Sequence, residues 1–243
     1  MENNNNLVII LGFYNGGSFV EHLLEKKYNI VGVDASEEMI LFSKEKYKNF
    51  DNLILLNKCI DKSDGKLVEF YISNEPVWNS THKDIANRLN YYKTTKIVES
   101  ITLPTLFDKY GCPIYLQMDI EGNDELALRQ LLETKYRPKY ISCEIECIGE
   151  DNKYDYDKTD GLTNLNILRE LGYTKFYLYD CRNDWNKNDT DNIKYIFNDE
   201  NNWLSYEDIK NKIKLLRSEF CDKVKTNQYQ YYDFWYDIYA IYE

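Results

Sequence analysis

Two carboxylates at the end of one apolar run are the clearest chemistry in the chain. The segment Pro113-Ile-Tyr-Leu-Gln-Met-Asp-Ile-Glu-Gly-Asn-Asp124 reads as a buried strand that delivers Asp119 and Glu121 at its tip. Desolvating carboxylates costs energy that an ordinary turn need not spend. Either acid suits a proton acceptor or the partner of a cation. A second acidic pair, Glu144 and Glu146, ends a neighbouring run, and strand alternation puts both on one face, opposite Cys143 and Ile145. His82 is another candidate base, because an imidazole titrates near neutrality, and it follows Trp78 in a polar stretch. The plainer readings are that Asp119 caps the next helix, Glu121 is solvated and His82 lies on the surface. Asp119, Glu121 and Glu144 would also suit an oxygen-seeking cation such as Mg²⁺, but no further His or carboxylate stands at ligand spacing, and we expect no metal.

The amino-terminal third carries a different signal. A five-residue apolar run is followed by Gly12-Phe13-Tyr14-Asn15-Gly16-Gly17, whose glycines permit a tight turn and close approach to the backbone. Asp34 follows the next apolar run, 22 residues after Gly12, where an acid can accept both hydroxyls of an adenosine ribose. Together these features point to a nucleoside-bearing cofactor. S-adenosylmethionine and NAD share this logic, but NAD sites need GxGxxG facing a pyrophosphate, and the spacing here is GxxxGG. Three Tyr-x-x-x-Lys pairs, Tyr92/Lys96, Tyr154/Lys158 and Tyr206/Lys210, would suit a short-chain reductase, yet such pairs are expected by chance among 23 tyrosines.

The elements that must hold these groups alternate between short β-branched runs and amphipathic stretches, the pattern of an α/β fold. Strands are expected at Leu7–Leu11, Ile30–Val33, Leu53–Leu56, Lys66–Ile72 (an edge strand), Ile114–Ile120, Tyr140–Ile145, Lys175–Tyr179 and Trp235–Tyr242. Helices are expected at Ser18–Lys26, from Ser36 onward, and at Leu103–Tyr110, Asp124–Thr134, Leu162–Leu171 and Ser205–Phe220. Residues 74–90 read as an active-site loop with a short helix, 153–160 as a charged loop and 182–202 as a polar insertion. At 243 residues and 43% hydrophobic, the chain fits one domain spanning 1–243, with insertions near 74–97 and 182–204.

Charge and cysteines limit the partners. A net charge of −11 argues against nucleic acid, whose binding rests on neutralising phosphates. No apolar run is long enough for a membrane span, and none near the start resembles a signal peptide, so a cytoplasmic protein is expected. Cys59, Cys112, Cys143, Cys147, Cys181 and Cys221 are then expected as thiols, without zinc spacing.

The stretch Val98 to Glu146, VESITLPTLFDKYGCPIYLQMDIEGNDELALRQLLETKYRPKYISCEIE, resembles the core of the FkbM-type S-adenosylmethionine-dependent methyltransferases, in which a strand ends in Asp-x-Glu-Gly and a second acid-tipped strand follows. Trp78-Asn79-Ser80, Ala86-Asn87-Arg88, Leu171 to Phe176 and Trp235 to Ile238 are similar to further segments of one branch. The resemblance implies a Rossmann-like class I fold, a seven-stranded, mostly parallel sheet with an antiparallel last strand, and methyl transfer to a hydroxyl of a sugar, nucleotide-sugar or glycan. By position, Gly12, Tyr14 and Gly16 would line the methionine part of the cofactor. Asp34 with Ala35 would hold the ribose, Cys59 and Ile60 would border the adenine, and Asp119 and Glu121 would meet cofactor and acceptor, with His82 in the covering loop.

Four positions depart from the family pattern: Ile10 replaces an acid, Tyr14 a small residue or Asn, Gln117 a Lys and Tyr239 a His. They keep open a degenerate methyltransferase fold with a binding role, and, further off, an NAD-dependent sugar reductase. The expected partners are a small-molecule or glycan substrate, with self-association into a homo-oligomer left open.

Overall fold

The computed structural model describes residues 6–145, 161–181, 203–228 and 234–243. Glu146, Cys147, the 153–160 loop and the 182–202 insertion fall outside them. The chain divides into two compact units, Met1–Lys139 and Tyr140–Glu243. Its fold class is the expected one, Rossmann-like α/β with a seven-stranded, mostly parallel sheet.

In the first unit β1 (Leu7–Leu11), β2 (Asn29–Asp34), β3 (Leu53–Asn57) and β7 (Tyr115–Met118) form a parallel array in the order β3-β2-β1-β7. Parallel strands covered on both faces become continuous apolar runs, and all five residues of β1 are buried. The helices are α1 (Gly17–Glu25), α2 (Glu37–Lys46), α3 (Lys83–Ala86), α4 (Leu103–Tyr110) and α5 (Asp124–Leu132). Ser36 caps α2 by accepting the Met39 N–H at 3.3 Å, with Glu37 and Glu38 in the first turn at the positive end of the helix dipole. Ser36→Ala should lower stability by about 1 kcal/mol, a fall in Tm of roughly 2–4 °C for a chain of this size, measurable by calorimetry.

A second, three-stranded sheet, β4-β6-β5, comprises β4 (Cys59–Ile60), β5 (Leu67–Ser73) and β6 (Tyr92–Ile101). Only β5 is in the sequence reading. β6 pairs antiparallel with β5 and parallel with β4, so from Tyr92 onward the stretch read as a loop insertion is strand. Its weak apolar alternation hid it: half of its residues are exposed, and Val98 alone joins the small core of Cys59 and Phe70.

In the second unit β10 (Tyr236–Ile241) lies between β8 (Tyr140–Glu144) and β9 (Lys175–Asp180), antiparallel to both. Tyr239, the residue in place of the family's His, is a buried ring flanked by Tyr177 and Tyr179, with centroids 6.2 and 6.1 Å away. α6 (Thr163–Glu170) buries Leu165, Ile167 and Leu168, and α7 (Tyr206–Lys225) buries Ile209, Ile213 and Phe220. Among the described residues no helix is long and apolar enough to cross a membrane.

Candidate functional site

Strand register brings the separate signals to one level. Leu11 of β1 pairs with Val33 of β2 on one side and Met118 of β7 on the other. The next residue of each strand is therefore Gly12, Asp34 or Asp119, and the three stand side by side at the carboxyl end of the sheet. The strand order turns back at β1, and it is beyond such a switch point that open α/β sheets bind ligands.

The glycine turn is built by packing within the protein. At Gly12 (φ +78°) a Cβ would lie 1.7 Å from the Asp119 carbonyl oxygen, so the close approach that glycine allows here is that of one strand end to the next. At Gly16 (φ +72°) a Cβ would meet the Tyr47 hydroxyl, Phe13 and Val20. Phe13 is buried, its ring lying over Gly32, so the turn points one aromatic ring into the core. Tyr14 (φ +47°) takes the left-handed conformation, with its side chain partly exposed. Its carbonyl accepts from Ser43 Oγ at 3.0 Å, and the Asn15 carbonyl accepts from Tyr47 Oη at 2.9 Å.

Asp34 closes the turn. Its Oδ2 accepts the Tyr14 N–H at 2.6 Å and its Oδ1 the Ser36 N–H at 2.7 Å. A carboxylate offers about four acceptor positions, so two remain after these bonds, the number a vicinal diol would fill. Burial pushes the Asp34 pKa up, and the two backbone donors oppose that rise. Ala35 beside it packs against the small core of Cys59, Phe70 and Val98.

Asp119 differs from Asp34 in having, among the described residues, no hydrogen-bond partner for its carboxylate. Its side chain reaches solvent, yet enough protein stands around it for desolvation to be the larger cause, and the Asp34 charge the second, of a pKa raised to about 6. An acid held in this state is ready to take a proton or to gain from an arriving cation.

Glu121 and Gly122 continue the loop in left-handed conformations (φ +45° and +102°). A non-glycine residue there carries strain, and the 78–88 segment holds it. Ser80 Oγ donates to the Glu121 carbonyl at 2.6 Å, and Arg88 Nη1 stands 3.5 Å from Glu121 Oε2. The Arg88 guanidinium also lies over the Trp78 ring at 5.9 Å, and Trp78 packs against Tyr91 at 5.7 Å. His82 is exposed, with Nε2 2.9 Å from Asn123 Oδ1. Asn123 Nδ2 donates to Thr81 Oγ1 at 2.8 Å and to the Ile60 carbonyl at 3.3 Å.

The structure thus joins Gly12, Asp34, Asp119 and Glu121 in one group, the Asp119 and Glu121 carboxylate oxygens lying within 4.8 Å of one another, and His82 and the Ile60 carbonyl in an adjoining one. It turns the side chains of Cys59 and Ile60 inward: both are buried, and burial together with the Asp61 charge raises the Cys59 thiol to about 11. What these two positions can present to a ligand is backbone. Arg88 and Asn123 are absent from the sequence reading as contact residues, because their partners lie 33 and 41 positions away, beyond any local spacing rule.

No curated protein matches the sequence. Among solved structures the chain resembles the 4+2 cyclase SpnF (TM-score 0.45, 9% identity, covering 99% of this chain and 76% of that one). It also resembles a putative sarcosine dimethylglycine methyltransferase from Galdieria sulphuraria (0.41, 9%, 98% and 78%). A third is phosphoethanolamine N-methyltransferase 2 of Haemonchus contortus, in complex with S-adenosyl-L-methionine (0.41, 9%, 100% and 50%). Likeness at these scores adds nothing to what a family profile carries. The methyltransferase FkbM domain matches residues 14–175, two thirds of the chain. That span takes in Asp34, the Asp-Ile-Glu-Gly tip and the segment that grips it, and the chain belongs to the FkbM methyltransferase family, whose cofactor is S-adenosylmethionine.

Proposed function

We propose that this protein is an O-methyltransferase acting on a hydroxyl of a sugar, nucleotide-sugar or glycan, working as one domain over residues 1–243 in the cytoplasm. The observation that carries the reading is the Asp119 carboxylate, without a hydrogen-bond partner among the described residues, level with Asp34 and Gly12 and raised to about 6. A positively charged sulfonium cofactor would supply the missing opposite charge. In this reading the open acceptor positions of Asp34 take the ribose diol. The backbone of Gly12, Tyr14 and Gly16 borders the methionine end, while Ala35, Cys59 and Ile60 border the base.

S-adenosylmethionine held by Asp34 and the glycine turn would supply an electrophilic methyl group, its sulfur keeping the electron pair of the broken bond when an acceptor oxygen takes the carbon. The chain's own task is to align that oxygen and remove its proton. Asp119, with its raised pKa, and His82 are the groups able to do so, and Glu121, held by Arg88, shapes the acceptor side. Trp78 and Tyr91 provide the aromatic faces, beside charged groups, on which sugar rings stack.

Titration calorimetry with S-adenosylhomocysteine, followed by tritiated methyl transfer from S-adenosylmethionine to a set of nucleotide-sugars and oligosaccharides, tests the proposal. Micromolar binding with label in a sugar product is expected. No binding at millimolar cofactor would favour the degenerate-fold alternative, and binding of NAD instead would overturn the methyltransferase assignment for this chain.

A further inference from the structure

His82 is one of two histidines in the chain, and its ring is tied to a residue with no titration of its own. The carbonyl oxygen of Ile60 can only accept a hydrogen bond. It faces Asn123 Nδ2 at 3.3 Å, and the same nitrogen donates to Thr81 Oγ1 at 2.8 Å. Turning the Asn123 amide over would set Oδ1 against the Ile60 carbonyl, two acceptors with no hydrogen between them. The amide orientation is therefore set from β4, and Oδ1 is left facing His82 Nε2 at 2.9 Å. An amide oxygen has no proton to give, so Nε2 must carry the hydrogen.

We infer that Asn123 is a positioning residue that fixes neutral His82 in the Nε2–H tautomer and so makes Nδ1 the ring's proton acceptor. The rest of the histidine is held to the same loop. Its backbone N–H donates to Ser80 Oγ at 2.9 Å, and that hydroxyl donates to the Glu121 carbonyl at 2.6 Å. The ring lies on Gly122, where a Cβ would come 2.9 Å from His82 Cδ2. Backbone, ring and tautomer are thus all referred to the Asp119–Asn123 loop. The inference rests on the proposed function for its purpose: an acceptor hydroxyl giving its proton to His82 would give it to Nδ1, while Nε2 keeps its hydrogen on Asn123. The tautomer itself depends only on the hydrogen bonds described.

Nitrogen-15 NMR of the imidazole rings in the whole, cofactor-free protein tests the inference. It is recorded about two pH units above the ordinary imidazole pKa of about 6.5, with His22→Gln used to assign the signals. His82 should show the nitrogen shifts of a protonated Nε2 and an unprotonated Nδ1. Asn123→Leu should move both shifts toward the averaged values of exchanging tautomers, and Asn123→Asp, which keeps an acceptor opposite Nε2, should hold them. A wild-type ring with Nδ1–H, or with the averaged shifts of exchanging tautomers, overturns the inference without any variant. So does an Asn123→Leu spectrum identical to wild type. Once an acceptor is in hand, Asn123→Leu should lower kcat about tenfold with KM unchanged, and should have no further effect in a His82→Gln background. An additive loss there would make Asn123 merely structural. Failure to methylate any acceptor would count against the proposed function and leave the spectrum as it is.

Discussion

Asp119→Asn should abolish methyl transfer to within about a thousandth of the wild-type rate, the combined loss of a base and of an electrostatic partner for a cation, while making the cofactor-free protein more stable. The two effects have one source. Among the described residues Asp119 is a carboxylate without a hydrogen bond, desolvated by its surroundings and repelled by Asp34, and its pKa is raised to about 6. A folded-state pKa above the unfolded value means that the folded protein binds the proton more tightly. The favourable contribution is full below the unfolded value of about 4 and is lost as pH rises through 6. Above pH 6 the wild type therefore carries the cost of an ionised, unpartnered acid, and the amide variant does not. Because water reaches the side chain, the gain is discounted to about 1 kcal/mol, roughly 2–4 °C in Tm. Calorimetry of both proteins from pH 4 to pH 8 should show the Tm difference open as pH rises and close as it falls. Undiminished turnover in Asp119→Asn would remove Asp119 from the chemistry, and equal melting at every pH would remove the electrostatic argument.

Asp34→Ala should weaken S-adenosylhomocysteine binding about a hundredfold, the loss of two hydrogen bonds to a charged acceptor at about 1.5 kcal/mol each. The side chain has a second duty, because it accepts the Tyr14 N–H and the Ser36 N–H and so joins the glycine turn to the start of α2. Ala leaves both donors without that acceptor, and Tm should fall even without cofactor. Asp34→Asn retains an acceptor for one of them and should fall between the two in melting while binding nearly as poorly as Ala. Calorimetric titration gives the affinity and a thermal melt gives the stability. A dissociation constant within threefold of wild type would mean that the ribose is not held here.

Several features could be read directly from the order of residues. The all-apolar β1 announces a strand buried on both faces, Ser36-Glu37-Glu38 a capped helix, and Gly111 the end of α4. The acid closing each strand could be named because a strand's end lies next to its apolar run. β6 could not, since only two of its ten residues are buried and the apolar alternation that marks a half-buried strand is nearly absent. For Cys59 and Ile60 the position near the third strand was legible, but not that both are buried, Cys59 against Phe70 and Val98 from other strands.

Sequence by itself determined the α/β class, the family and the residues at the strand tips, because hydrophobic period, capping and turn chemistry act over a few neighbouring positions. Only the tertiary structure decided that Gly12, Asp34 and Asp119 come level, that Asp119 is left without a partner among the described residues, and that Arg88 and Asn123 reach Glu121 and His82. Those arrangements depend on strand register and on close packing between segments far apart in the chain, and no local preference encodes which distant side chain fills a given space.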